Sequence, residues 1–193
     1  LLPWWKQVLV GLPLFVILLT ASWTDLRARK IYNNLTYPSM ILGLCLHTIA
    51  LGFDGFLSGL IALGVTFELG LLLLPLGWIS GGDFKLMMVI GAFLGGLALQ
   101  EIVVYSILAG GALGLVMSAW NGYLFELMKR MFFLVRGFFL FLLHRHRDAL
   151  PVLAPDARSR LPYAIALLSG FILTYSEHTY QIPPLLRMLS EIF

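Results

Sequence analysis

Charged positions along the chain are sparse and bunched, and they separate apolar runs of the length a bilayer crossing requires, about 20 residues. The first run lies between Lys6 and Asp25 and predicts a transmembrane helix over 7–24. Arg27, Arg29 and Lys30 follow it while Lys6 alone precedes it, the reverse of a secretory signal, so this helix is expected to be retained. A second charge-free run predicts a helix over 34–53, with Asn33 and Asn34 as candidate N-caps and Asp54-Gly55 as the turn that ends it. The third helix, 56–79, carries Glu68 and is broken by Ser80-Gly81-Gly82. The fourth covers 84–100, with Glu101 marking its far end, and the fifth covers the charge-free run 102–125.

Residues 126–160 follow a different pattern. Lys129, Arg130, Arg136, Arg145, Arg147, Arg158 and Arg160 interrupt them, and the longest apolar piece, Gly137 to Leu143, is too short to span. An amphipathic helix lying on an anionic membrane surface suits such a segment. A sixth helix is expected over 161–176, opened by Pro162 in the first turn, where its missing N–H costs nothing. The expected fold is therefore all-α: one integral membrane domain over 1–193 with six transmembrane helices and an interfacial helix between the fifth and sixth.

Composition agrees with lipid as the solvent. Hydrophobic residues make up 60% of the chain and charged residues 12%, against about 25% charged in soluble domains, which excludes an ordinary water-soluble globule. On the six-span topology, 11 of the 13 Lys and Arg fall on one side, which the positive-inside rule makes cytoplasmic, with both termini outside. A net charge of +3 gives no reason to expect nucleic acid as a partner. The sole cysteine, Cys45, is expected to be buried in the second helix, and it supplies neither a disulfide nor a cysteine zinc site. No metal site, phosphate loop or serine triad pattern is visible, so no cofactor is expected.

Two carboxylates fall at cytoplasmic boundaries: Asp25 at the exit of the first helix and Asp83 at the start of the fourth. They are 58 positions apart in sequence, yet the topology returns them to one face. Two charges about 4 Å apart at an effective dielectric near 20 repel by about 4 kcal/mol, which separates their ionisations by about three pH units. One acid then holds a proton near neutrality while the other is ionised, the division of labour of an aspartic protease. Spacing alone leaves a plainer alternative open, with Asp83 as a helix N-cap and Asp25 paired with Arg27 or Arg29.

The local strings bear on that choice. Asp25-Leu26-Arg27-Ala28-Arg29-Lys30-Ile31-Tyr32-Asn33 resembles the first aspartate motif of the type IV prepilin peptidases. Ser80-Gly81-Gly82-Asp83-Phe84-Lys85-Leu86 resembles their second, the GxGD motif, and Leu161-Pro162-Tyr163-Ala164 a third segment. Tyr32 stands where the family usually has proline, and Ser80 where it usually has glycine. The length is similar to that of compact Flp/Tad-type members. The resemblance implies an inner-membrane aspartic endopeptidase with Asp25 and Asp83 catalytic. It would cut the basic leader from prepilins or pseudopilins at the cytoplasmic face, after a glycine and before an apolar helix. Its larger members also methylate the new N-terminus, an activity the resemblance associates with an N-terminal domain holding paired cysteines, and methyl transfer is accordingly not expected here.

Around the aspartates, Gly81 and Gly82 are expected to leave room for an extended substrate strand. Lys85 either biases the pair or anchors the membrane boundary, Arg27 sets topology, and Pro162 and Tyr163 either start the last helix or line the cleft. Glu68, 15 positions before Asp83, is expected about 22 Å away along a helix, in the outer half of the membrane. Two other functions remain open on sequence: a proton-coupled transporter using the boundary acids and Glu68, and a non-catalytic pilus or secretion assembly factor. The first would often show matching broken helices in two halves, which are not seen.

Overall fold

The computed structural model describes residues 4–74, 80–120, 122, 125, 129, 132 and 163–180. The helices are α1 (Trp4–Ala28), α2 (Asn33–Leu51), α3 (Phe53–Leu73), α4 (Gly81–Trp120) and α5 (Tyr163–Tyr180), and no strand occurs among the described residues. By length and apolar composition α1 to α4 can each cross a membrane, while the apolar part of α5, Tyr163–Ser176, is shorter. The chain is thus an all-α membrane protein. It divides into two units, residues 1–110 with 162–193, and residues 111–161. In the second unit, residues 111–120 continue α4 and are mostly exposed.

α4 is not one rod. Gly95 has φ 78° and ψ 179°, a conformation that glycine alone adopts readily, and it divides the element into legs of residues 81–94 and 96–120. A side chain grown on Gly91 would meet Leu99 Cδ2 at 3.3 Å, whereas a straight helix separates positions eight apart by about 12 Å. Residues 96–110 of the second leg therefore fold back beside the first. Gly95 lies by His47 and Ser58, where α2 ends and α3 begins, and Gly110 lies by Tyr163 and Ala166 at the start of α5.

Neighbouring contacts extend this up-and-down order. Lys6 Nζ at the start of α1 donates to the Ala50 carbonyl at the end of α2, at 2.6 Å. Gly70, near the end of α3, sits under the Phe84 ring at the start of α4. The buried core joins Leu14, Leu18 and Ala21 of α1 to Leu86, Ile90 and Phe93 of α4 and to Leu167 of α5. In lipid such helices associate through close packing rather than apolar burial, so small residues fall where backbones meet. The buried hydroxyls of Ser22, Thr66, Ser106 and Thr174 donate to carbonyls four residues earlier, so they bring no unmet donor into the hydrocarbon.

Several boundaries differ from the sequence expectation. The break between the fourth and fifth helices is at Gly95, not at Gln100-Glu101; Glu101 is half-buried within the second leg. A charge marked the boundary by rule, but the backbone turns where a glycine permits it. The α2–α3 turn is at Gly52, with φ 71°, and Asp54 lies in the first turn of α3, where the helix dipole favours an acid. Gly55 is packed against the His47 carbonyl rather than turning the chain. Neither Asn33 nor Asn34 caps α2: Tyr32 occupies the cap position without a side-chain bond. Cys45 is exposed on α2, not buried. The expected interfacial helix over 126–160 lies outside the described residues, apart from Lys129 and Phe132, as does Pro162.

Candidate active site

Asp25 sits in the last turn of α1 and its carbonyl accepts the Arg29 N–H at 2.9 Å. Arg29 has φ 49°, the left-handed geometry that stops a helix, so α1 ends just past the carboxylate and the chain turns back towards α2. Asp83 lies in the first turn of α4, three residues after Ser80. Its N–H donates to Ser80 Oγ at 3.4 Å, and its carboxylate bonds the hydroxyl and backbone N–H of Ser80. This reciprocal pairing is a capping box, with an Asp in place of the usual Glu or Gln. Ser80 thus does the capping that the plainer reading gave to Asp83, and the Asp83 side chain is held at the mouth of the helix.

The two carboxylates lie within electrostatic reach of each other. The negative charge of Asp25 acts directly on Asp83, and the charge of Asp83 acts on the Tyr163 phenol at the start of α5. Ser22, one turn below Asp25, donates to the Ala164 carbonyl at 3.1 Å and ties α1 to α5 beside the pair. Asp25, Asp83 and Tyr163, from three separate elements, therefore share one end of the bundle.

Around them, two contacts knit the first segment to the second. A side chain on Gly82 would meet Ile31 at 3.1 Å, so this glycine allows the segment before α2 to lie against the start of α4. Lys85 Nζ donates to Asn33 Oδ1 at 2.7 Å and stands 5.7 Å over the Tyr37 ring. Lys85 is therefore a clamp between α4 and α2. Lys85→Met and Asn33→Ala are each expected to cost about 1 kcal/mol in unfolding of the detergent-solubilised protein, and the double variant no more than either alone.

The expected roles of the glycines separate. Gly81 has open space, with Leu74 at 3.9 Å the nearest atom to an added side chain, while the space over Gly82 is filled by Ile31. Arg27 is exposed and its guanidinium stacks on Trp23 at 4.8 Å. The 22 Å expected for Glu68 takes one helix as running on to Asp83, whereas α3 ends at Leu73 and α4 begins at Gly81. The Glu68 neighbours Phe67 and Gly70 pack on Phe84, next to Asp83, because the chain leaves α3 and re-enters α4 rather than running on as one helix. The Glu68 side chain is exposed. Among the described residues no cluster of three or more His, Cys, Asp or Glu is arranged to hold a metal.

Residues 12–118 match the type IV leader peptidase family, a stretch that covers more than half of the chain and contains both aspartates. The chain belongs to that family. It is also similar to the prepilin leader peptidase/N-methyltransferases of Burkholderia pseudomallei strains 1026b and K96243, at 32% identity over 120 residues in each case. The aligned stretch is 59% of this chain and 38% of each relative, so the match spans well under half of those proteins. No solved structure matches the chain. Membership of the leader peptidase family gives Asp25, Asp83 and their clamps a common setting, since all lie within the matched residues.

Sequence reasoning missed Asn33 and Ser80 as site-building residues. The Ser-x-x-Asp spacing of a capping box was present as a signal. Asn33 carried none, because its partner is 52 positions away.

Proposed function

We propose that this chain is an aspartic endopeptidase that removes the basic leader of prepilins or pseudopilins at the cytoplasmic face of the inner membrane. The observation that carries this reading is the electrostatic proximity of Asp25 and Asp83 at one end of the bundle. The reading assigns one proton to the pair, with one carboxyl ionised and the other protonated. The ionised member takes a proton from water, and the resulting hydroxide equivalent adds to the scissile carbonyl carbon. The protonated member donates to the carbonyl oxygen, giving a neutral tetrahedral diol. Collapse breaks the C–N bond, a proton passes to the departing amine, and the pair returns to its one-proton state.

The Ser80 bonds and the Lys85–Asn33 clamp keep one carboxylate in place while Asp25 approaches from α1. The open side of Gly81 suits a substrate backbone lying against the turn. Tyr163 lies within electrostatic reach of Asp83, and this reading gives it a place in the substrate cleft beside the pair. The reading covers cleavage and no methyl transfer. It is tested by co-expression with a prepilin whose basic leader ends in glycine before an apolar helix. Loss of the leader mass from the pilin N-terminus is expected; an uncut pilin beside correctly inserted protein would sink the reading.

The fold-back at Gly95 supports six crossings, with the two legs of α4 counted separately, and the basic asymmetry supports a cytoplasmic position for the aspartates. In a Cys45→Ser background, Ala28→Cys is expected to be shielded from an impermeant thiol reagent added to intact cells, and Asp54→Cys to react. Labelling in the opposite sense would invert the topology.

A further inference from the structure

The end of the bundle away from the aspartates holds a cavity of about 410 Å³, within the size range of small-molecule sites. Val10, Leu94, Ile102 and Phe171 give it apolar walls, and Lys6 lines it as well. A second cavity, of about 360 Å³, lies between α1 and α5 along Val8, Leu12, Phe15 and Ile172. Gly11, Phe171 and Tyr175 line both, so the two adjoin as one groove. A side chain on Gly11 would lie 2.9 Å from the Tyr175 ring, in this shared wall.

The groove is charged at one end only. Lys6 Nζ has the Ala50 carbonyl at 2.6 Å and the Trp5 ring at 5.4 Å, and among the described residues no carboxylate pairs with it. An ammonium has three N–H donors, so it can take a further acceptor. A lysine beside an exposed tryptophan at the start of a membrane helix belongs at headgroup level. Phe15 is nine positions after Lys6, about 14 Å along α1. A hydrocarbon core is about 30 Å thick, so the groove reaches from the headgroups to near the midplane and goes no further. That is the depth of one acyl chain in one leaflet. A membrane-crossing peptide helix would need a groove of the full thickness, with no reason for a cation at this end.

We propose that this groove seats one acyl chain of an anionic phospholipid, drawn from the leaflet away from the aspartates, with the headgroup phosphate on Lys6. This goes beyond the peptidase reading, and its readout does not depend on cleavage.

The test mixes the full chain, purified in a neutral detergent, with phosphatidylglycerol carrying a photoactivatable group on one acyl chain. After irradiation the labelled residues are located by mass spectrometry. Label on residues 8–15 and 171–176 is expected to exceed that on Leu57, Ile61 and Leu71, exposed on α3, by at least about fivefold. Unlabelled phosphatidylglycerol should displace it at about one-fifth the concentration needed of phosphatidylcholine with the same chains; Lys6→Gln should remove that preference and Lys6→Arg keep it. Val8→Trp, at an exposed position, fills part of the groove and should lower the labelling at least about threefold. Equal labelling of the groove and α3 would mean ordinary lipid contact and overturn the proposal. So would equal displacement by the two lipids in the parent, a preference unchanged by Lys6→Gln, or displacement by a prepilin's apolar segment and not by phosphatidylglycerol. If Lys6→Gln fails to accumulate, the comparison of the two lipids in the parent decides alone.

Discussion

Asp83→Asn is expected to lower leader cleavage by about 10³-fold or more, and Asp25→Asn to do the same, with both variants still inserted in the membrane. An amide keeps the size and most of the hydrogen bonding of the carboxyl, so the capping box at Ser80 retains its geometry. It can neither take a proton from water nor cycle through a protonated acid. Because the two groups act as a pair, the double variant should be no slower than either single one. Glu68→Gln, on the outward face of α3, should cut at the parent rate. The measurement is the mass of the pilin N-terminus against time; either aspartate variant cutting at more than about a tenth of the parent rate would remove the carboxyls from the chemistry.

Gly170→Leu should be the most damaging substitution away from that pair. A side chain there would lie 2.5 Å from the Ile102 carbonyl oxygen and 2.9 Å from the Ser106 nitrogen, and would overlap the Ser106 hydroxyl. Two of these three obstacles are backbone, so no rotamer change relieves them. α5 must part from the second leg of α4, and with it go the Gly110–Ala166 contact and the Ser22 bond to Ala164. The expected cost is about 3 kcal/mol, read as a lower denaturation midpoint in detergent. Gly96→Ala is the matched control, since a side chain there meets nothing within 4 Å, and it should stay within about 0.5–1 kcal/mol of the parent.

What could be read in advance followed from solvent and from local chemistry. Apolar run length located α1 to α3 because hydrocarbon thickness sets that length, whatever the partners. The aspartates were legible because each sits in a short string with its own turn chemistry. The α4 fold-back was displaced by five or six residues, since Glu101 is a stronger signal on paper than Gly95, although only the glycine allows the required backbone angles. The Asn33–Lys85 bond could not be foreseen, because side chains 52 residues apart meet only through the packing of two helices. Cys45 was misplaced for a related reason: apolar surroundings in sequence do not distinguish a neighbour helix from lipid.

The stitching of Ile31 to Gly82 and of Asn33 to Lys85 also sets a clock on biosynthesis. The ribosome makes Asp25 58 residues before Asp83, about 3–12 s earlier at 5–20 residues per second, and Tyr163 emerges a further 80 residues later. During that interval α1 and α2 are in the translocon or the bilayer with half a site. A chain arrested before Asp83 lacks both the second acid and the clamp, so on the proposed reading an unfinished protein could not cut what passes beside it. Competence arrives only with the returning leg and α5, late in synthesis, when the first three helices have already been threaded.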